Sequence, residues 1–363
     1  RDPEMSRGLG DVYKRQISAP VASDLSWERS IHKNLGVDMS FLNNRLAFSA
    51  DFYIRDTKDM LTAGIALPAT YGADSPKMNS ADLRTKGYEL SLNWRDEFQL
   101  LRRPFSYSVT LTFNDYVSNI TKFDNPDRSF AKKYYEGMRW GEIWGYRIDG
   151  LFASDEEARN YPVDQTTVNE IINASAGAEK GLRAGDLKFR DVTGDGKITE
   201  ADRTMIGNPT PDFTYGYSVN LQYKNFDLGI DFQGVYGNEI FNTSFLSAYA
   251  QYNYHTKRLG RWNGEGTSNW EPILDSSRAT QMMNSSYFIE DGSYLRLKNI
   301  ELSYTLPDRW MKRIHINNAR IFIQCVNLLT FSKFKLWDVE LGDGRGAKYP
   351  NIGSVSLGIN FNF

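Results

Sequence analysis

The chain ends on Gly353-Ser-Val-Ser-Leu-Gly-Ile-Asn-Phe-Asn-Phe363, a stretch in which apolar and polar residues alternate. Successive side chains of a β-strand point to opposite faces, so the odd-numbered residues from Val355 to Phe363 share one face. The other face carries only serine, glycine and asparagine. A strand of this kind has one side in an apolar phase and the other in water, as in the wall of a membrane β-barrel. We predict that the terminal aromatic, Phe363, acts as a signal for membrane assembly.

The same alternation recurs along the chain and predicts an all-β, antiparallel fold of about nine long strands. Tight hairpin turns are predicted at Asn43-Asn44 and Lys224-Asn225, and a break in the alternation predicts a β-bulge near Asn299. The polar faces repeatedly carry charges, which an aqueous lumen tolerates and a dry sandwich core does not. These charges are Arg45, Asp51, Arg55, Glu89, Arg95, Asp227, Asp231 and Glu301. The predicted strands are 34–42, 45–55, 88–95, 107–114, 213–223, 226–232, 297–306, 319–326 and 353–363.

Composition narrows the class of protein. The 43 Lys and Arg residues nearly balance 45 Asp and Glu residues, which gives no case for binding nucleic acid. The mean hydropathy is −0.52, and no apolar run approaches the ~18 residues of a transmembrane helix. A transmembrane strand needs only about 9–11 residues, half of them polar. The single cysteine, Cys325, excludes a disulfide scaffold.

The chain divides into two parts. Residues 1–16 are charge-rich and lack periodicity, and we interpret them as a non-native leader. Residues 17–363 are predicted to form the C-terminal part of a longer barrel, with open edges at its first and last strands. Because such barrels have short periplasmic turns and long extracellular loops, residues 122–210 are expected to form one extracellular excursion. Residues 238–290 and 330–352 are expected on the same side.

An acidic loop, Asp191-Val-Thr-Gly-Asp-Gly-Lys-Ile-Thr-Glu-Ala-Asp202, has the spacing of a calcium-binding loop. Its hard oxygen ligands suit Ca²⁺, and an Asp in place of the usual last Glu predicts weak affinity, ~10⁻⁴–10⁻³ M. The alternative is a metal-free turn in which Asp and Thr side chains cap backbone amides. The predicted ligands are Asp191, Thr193, Asp195, the Lys197 carbonyl, Thr199 and Asp202.

Aromatic residues in the predicted outer segments are candidates for substrate contacts, because sugar C–H faces stack on aromatic rings. The alternative is that they pack loops together or contact a partner protein. The candidates are Trp140, Trp144, Tyr146, Tyr252, Tyr254, Trp262 and Trp270.

Catalysis has little support in the sequence. The three histidines, His32, His255 and His315, are scattered, without an adjacent nucleophile or metal-ligand spacing. We therefore predict that the protein is not an enzyme.

Several segments resemble one family, the SusC/RagA-type TonB-dependent outer-membrane transporters of Gram-negative bacteria. The resemblance extends from about Ser26 to Phe363. The matching segments are Asn34–Leu46, Asp51–Leu61, Gly145–Phe152, Gly185–Lys197, Ile206–Gly216 and Glu290–Asn299.

This resemblance implies a transmembrane barrel of about 22 strands with an N-terminal plug, of which the chain supplies the C-terminal nine or so and long extracellular loops. It also implies import of oligosaccharides or peptides across the outer membrane with a SusD-like surface lipoprotein. TonB–ExbB–ExbD would supply energy through the missing N-terminal part. Two alternatives stay open: a soluble, calcium-dependent carbohydrate-binding β-sandwich, and an outer-membrane hydrolase, which requires a serine close to a histidine.

Overall fold

A single antiparallel sheet of nine long strands dominates the computed structural model, in the order β1-β2-β3-β4-β9-β10-β13-β14-β15. The structure describes residues 25–63, 75–128, 134–165, 182–245, 256–274, 283–342, 344 and 348–362. The strands of this sheet are β1 Arg29–Phe41, β2 Leu46–Ala63, β3 Lys77–Leu100, β4 Arg103–Lys122, β9 Phe213–Tyr223, β10 Phe226–Tyr236, β13 Tyr294–Thr305, β14 Asn318–Ser332 and β15 Ser354–Asn362.

Shorter elements lie in the connections between these strands. Among the described residues, the short strands are β5 Ile143–Gly145, β6 Ile148–Leu151, β7 Leu187–Phe189, β8 Thr204–Gly207, β11 Glu239–Phe241 and β12 Ile289–Asp291. They form two-stranded sheets in which β5 pairs with β8, β6 with β7 and β11 with β12. In the described part of the chain, the helices are α1 Asp155–Arg159 and α2 Asp308–Met311, with 3₁₀ turns at Glu200–Asp202, Thr243–Phe245, Thr256–Gly260, Ser286–Phe288, Lys312–Ile314 and Val339–Leu341.

Strand register confirms two local predictions. Tyr223 pairs with Phe226 across the Lys224-Asn225 turn, so β9 and β10 form the predicted hairpin. On the other side of β10, Asp231 pairs with Asn299 whereas Phe232 pairs with Leu297. Lys298 is thus the extra residue of a β-bulge, next to the predicted position.

Two features differ from the prediction. The first turn spans residues 42–45 rather than two asparagines, and Leu42, Asn43 and Asn44 all have positive φ. The strands also extend well beyond the predicted ones: β3 has 24 residues. It meets β4 at a turn, Leu101-Arg102, that the sequence did not predict. Alternation of apolar and polar residues marks only the part of a strand with one apolar face, so polar extensions escape detection.

The chain forms two compact units. The first comprises residues 1–38, 49–89 and 116–140, and the second comprises residues 39–48, 90–115 and 141–363. In the first unit, residues 137–140 continue the pairing along β4, with the Ile120 amide donating to the Met138 carbonyl at 2.9 Å. In the second unit, a buried cluster holds the connections together around Tyr146, Phe189 and Phe288.

The last strand decides between a barrel wall and a sandwich. Its apolar residues are exposed: Val355 by 65%, Leu357 by 77%, and Ile359 and Phe361 by 52% each. A sandwich buries this face against a second sheet, so the sandwich alternative is wrong. In the described residues β1 pairs only with β2 and β15 only with β14, which confirms the two predicted edges. No described helix is long and apolar enough to cross a membrane.

Candidate functional site

The polar face of the second unit carries an open pocket with a volume of about 690 Å³. It lies towards the turn ends of the strands, and the predicted lumenal charges Arg45, Arg95, Asp227, Asp231 and Glu301 all line it. Two ion pairs lie in its lining: Arg45 Nε lies 3.3 Å from Asp96 Oδ1, and Arg320 forms an ion pair with Glu301. A hydrated surface of mixed charge suits passage or docking of polar molecules better than storage of one apolar ligand.

The acidic loop in the second unit is closed by its own carboxylates. Asp191 accepts hydrogen bonds from the amides of Gly194 at 2.6 Å and Gly196 at 2.8 Å. Both glycines have positive φ, +75° and +78°, which side chains disfavour. The loop is anchored by the Ile198 side chain, which is fully buried in the cluster around Tyr146. Asp191 therefore caps the sharp turn.

Asp202, the proposed last ligand, is fully buried. One carboxylate oxygen accepts from the Val192 and Thr193 amides, both at 3.0 Å, and the other accepts from the Thr199 amide at 2.7 Å. Burial by itself would raise the pKa of Asp202, but the hydrogen bonds from Thr199, Thr193 and Val192 outweigh it, so this pKa lies below its usual value.

The two Thr hydroxyls add further donors, which leaves Asp202 no free lone pair for a cation. Within the described residues, no group of three or more His, Cys, Asp or Glu side chains is arranged to hold a metal. These contacts are those of the metal-free turn, with Asp202 as its cap. Calcium binding stays a prediction.

The aromatic candidates separate by burial. Tyr146 is only 2% exposed and its ring centroid lies 5.4 Å from that of Phe189, so the expectation that Tyr146 lines a substrate path is wrong. Its backbone amide bonds to the Asn284 carbonyl, which draws the ring into the core. Trp262 is partly buried beside Gly185. Tyr252 and Tyr254 lie outside the described residues.

Three tryptophans remain accessible. In the first unit, Trp140 is 39% exposed and stacks on Tyr134, with ring centroids 5.4 Å apart. In the second unit, Trp270 is 45% exposed, and half-buried Trp144 donates its indole N–H to Glu142 at 2.9 Å. Partly exposed aromatic rings are suited to stacking on a sugar or a peptide side chain.

The two histidines in the described residues, His32 and His315, lie far apart in the sequence and in different elements. Ser30 Oγ does lie 2.8 Å from His32 Nε2, a proximity that the sequence did not predict. Both residues are exposed on edge strand β1, and among the described residues no carboxylate bonds to the imidazole ring to orient it. His315 occupies an exposed turn, and His255 lies outside the described residues.

A buried charged group in the second unit escaped sequence analysis. Arg258 Nη1 and the Tyr287 hydroxyl both donate to Glu271 Oε1, at 2.7 and 2.8 Å. Burial raises the pKa of Tyr287 far above its ordinary value, so the phenol stays a hydrogen-bond donor. The triad fixes the segment 256–274 to the core. Its members are 13 and 16 residues apart in sequence, with no periodic signal connecting them.

One exposed apolar face, one polar face and long connections define the class: an antiparallel β-barrel wall. A family model described as TonB dependent receptor-like, beta-barrel, matches residues 6–185. TonB-dependent receptor P3 of Formosa agariphila is 30% identical over 97% of this chain, and TonB-dependent receptor SusC of Bacteroides thetaiotaomicron is 26% identical over 98% of it. Residues 6–185 therefore belong to a TonB-dependent receptor-like β-barrel domain, and the chain as a whole is similar to TonB-dependent receptors.

The solved structure of the RagAB peptide transporter is similar as well, with a TM-score of 0.73 and 25% identity over 96% of this chain. These matches confirm the resemblance to SusC and RagA. The chain spans 36% of the Formosa receptor, 34% of SusC and 36% of the RagAB chain. The named relatives are receptors or transporters rather than enzymes.

Proposed function

We propose that this chain forms part of the barrel wall of an outer-membrane importer that takes up oligosaccharides or peptides. The observation that carries this proposal is the exposed apolar face of β15, where Leu357 is 77% exposed. In water such an apolar face would promote aggregation, whereas in a membrane the hydrocarbon chains of lipids would cover it. The opposite face, with its mixed charges, would meet the aqueous interior.

The proposed substrates and partners are inferred by analogy with the relatives. RagAB is described as a peptide transporter, which supports a peptide cargo. Exposed Trp140 and Trp270 equally suit an oligosaccharide, since ring faces stack on sugars. By analogy we assign the protein a SusD-like surface lipoprotein as partner and the TonB–ExbB–ExbD machinery as its energy source, both reached through a longer protein that contains this chain.

Uptake of labelled substrates by cells tests the proposal. A strain lacking the gene should fail to accumulate one substrate class, either a fluorescent oligosaccharide or a fluorescent peptide. Complementation should restore uptake, and the protein should fractionate with the outer membrane and copurify with a lipoprotein. A protein recovered from the soluble fraction, or unchanged uptake of both substrate classes, would refute the importer.

A matched pair of variants tests the aromatic contacts. Trp140→Ala with Trp270→Ala should raise the half-saturating substrate concentration about tenfold while leaving the amount of inserted protein unchanged, as a stacking contact is worth ~0.5–1.5 kcal/mol. Trp310→Ala is the control, because Trp310 is 47% exposed but lies in helix α2. If Trp310→Ala had an equal effect, the assignment of Trp140 and Trp270 as substrate contacts would be wrong.

A further inference from the structure

The apolar face of the first three strands ends within the first unit. Phe52 on β2 is 50% exposed, and its ring centroid lies 6.4 Å from that of Tyr88 on β3. Farther along the same face, Arg84 Nε donates to Asp56 Oδ1 at 2.6 Å and Lys58 Nζ lies 2.8 Å from Asp82 Oδ2. The face thus changes from aromatic to charged over about two alternations of the strand. This change marks where lipid gives way to water.

Two lysines lie at this boundary. The pairing of Asp56 with Arg84 sets Lys86 of β3 opposite Ile54 of β2. On the other side of Ile54, the 2.6 Å hydrogen bond from Ser49 to Asp38 sets Lys33 of β1 opposite it. Lys33 and Lys86 therefore flank one apolar residue on the same face. Adjacent strands are ~4.8 Å apart, so the two lysine backbones are separated by about 10 Å.

These lysines differ from the other cations of the face. Arg29, Lys58 and Arg84 each form an ion pair with an aspartate. Lys33 and Lys86 are exposed, and neither forms an ion pair within 4.0 Å of a carboxylate among the residues that the structure describes, although Lys33 is near enough to Asp56 to interact with it electrostatically. A lysine can lay its methylene stem over apolar surface and raise its ammonium group to the interface. With about 10 Å between the two backbones, both lysine side chains are long enough to reach one anionic group above Ile54.

We propose that Lys33 and Lys86 bind the phosphate of an outer-leaflet lipid headgroup, an inference that rests on the membrane location proposed above. The boundary lies at the strand ends away from the turn at residues 42–45, and short turns face the periplasm in such barrels, so this end meets the outer leaflet. Two ammonium groups at the rim of an apolar face match a headgroup phosphate whose acyl chains cover Phe52 and Leu35.

Binding of phosphorylated lipid tests the inference with the protein purified from outer membranes in detergent. Native mass spectrometry would compare retention of lipid A with that of chemically dephosphorylated lipid A. The variant Lys33→Gln with Lys86→Gln should bind lipid A about thirtyfold more weakly, from roughly fivefold per lysine at an anionic surface. Lys224→Gln is the matched control, because Lys224 is an exposed lysine at the opposite strand end.

The outcomes separate the two proposals. A preference for lipid A that disappears in the double variant and persists in the control supports the site. Equal retention of both lipids by the unchanged protein, or a preference that survives in the double variant, overturns it, as does displacement of lipid A by equimolar inorganic phosphate. Heat-modifiable gel mobility checks that both variants are folded. Absence of the protein from the outer membrane would instead refute the importer itself.

Discussion

Replacing Leu357 with arginine should destabilise the membrane-inserted protein by about 4 kcal/mol, whereas Ser356→Arg should cost less than about 1 kcal/mol. The two residues are adjacent in β15 and occupy opposite faces of the strand. Leu357 pairs with Ile323, which is itself 43% exposed on the apolar face. Ser356 pairs with Gln324, whose amide donates to Asn299 Oδ1 at 3.0 Å on the polar face.

The magnitude follows from two contributions. Leu357 lies near the middle of the nine-residue strand β15, and therefore near the middle of the hydrocarbon layer. An arginine at that depth costs about 2–4 kcal/mol. Removing a leucine side chain that lipid would otherwise cover, 77% exposed in the protein alone, forfeits roughly 1–2 kcal/mol more. An arginine at position 356 instead enters a hydrated, polar environment.

Equilibrium unfolding by guanidinium in lipid vesicles measures both variants, with tryptophan fluorescence and heat-modifiable gel mobility as independent probes. At 1.4 kcal/mol per tenfold change, the Leu357 variant should lose nearly three orders of magnitude in its folding constant. Equal penalties at the two positions would refute the assignment of faces. A larger penalty at Ser356 would mean that the apolar face points to the interior.

Four further predictions concern the acidic loop and the chain terminus. Asp202→Ala should destabilise the loop by about 2–3 kcal/mol through unsatisfied amides, seen as faster proteolysis there, while exposed Glu200→Ala should not. Folding lowers the pKa of Asp202, so the ionised carboxylate stabilises the loop fully above the unfolded pKa of about 3.9. This stabilisation is lost as the pH falls through the lower pKa of the folded state. Protection of the loop from proteolysis that already weakens at pH 6 would contradict this. Asp191→Ala with Asp195→Ala should abolish any thermal stabilisation by millimolar Ca²⁺, and no calcium effect in the unchanged protein would end the calcium hypothesis. Deleting Phe363, which lies outside the described residues, should reduce insertion into the outer membrane; unchanged insertion would argue against an assembly role.

Strand positions were the most predictable part of the fold. In β9 and β10, period-two alternation and a two-residue turn fix both faces and the register from local sequence. The bulge at Lys298 was equally readable, because an extra residue shifts every later side chain to the other face. The charged extension of β2 around Asp56 and Lys58 was not, since both of its faces are polar.

The candidate site was far less predictable. Tyr146 looks like any other loop aromatic in the sequence, yet contacts with residues about 140 positions away bury it. The neighbouring hydrogen bond from the Ile148 amide to the Ser286 hydroxyl spans the same distance in sequence. The acidic loop matches a calcium motif by spacing, but only the folded backbone determines that the Asp202 carboxylate accepts hydrogen bonds from backbone amides.

The sequence by itself determined that this protein builds a two-faced antiparallel sheet, because side-chain alternation depends only on neighbouring residues along a strand. Only the tertiary structure decided which loop aromatics stay exposed, which carboxylates are already satisfied, and that Lys33 and Lys86 flank Ile54. Those properties depend on residues brought together from distant parts of the chain, and no local pattern encodes them.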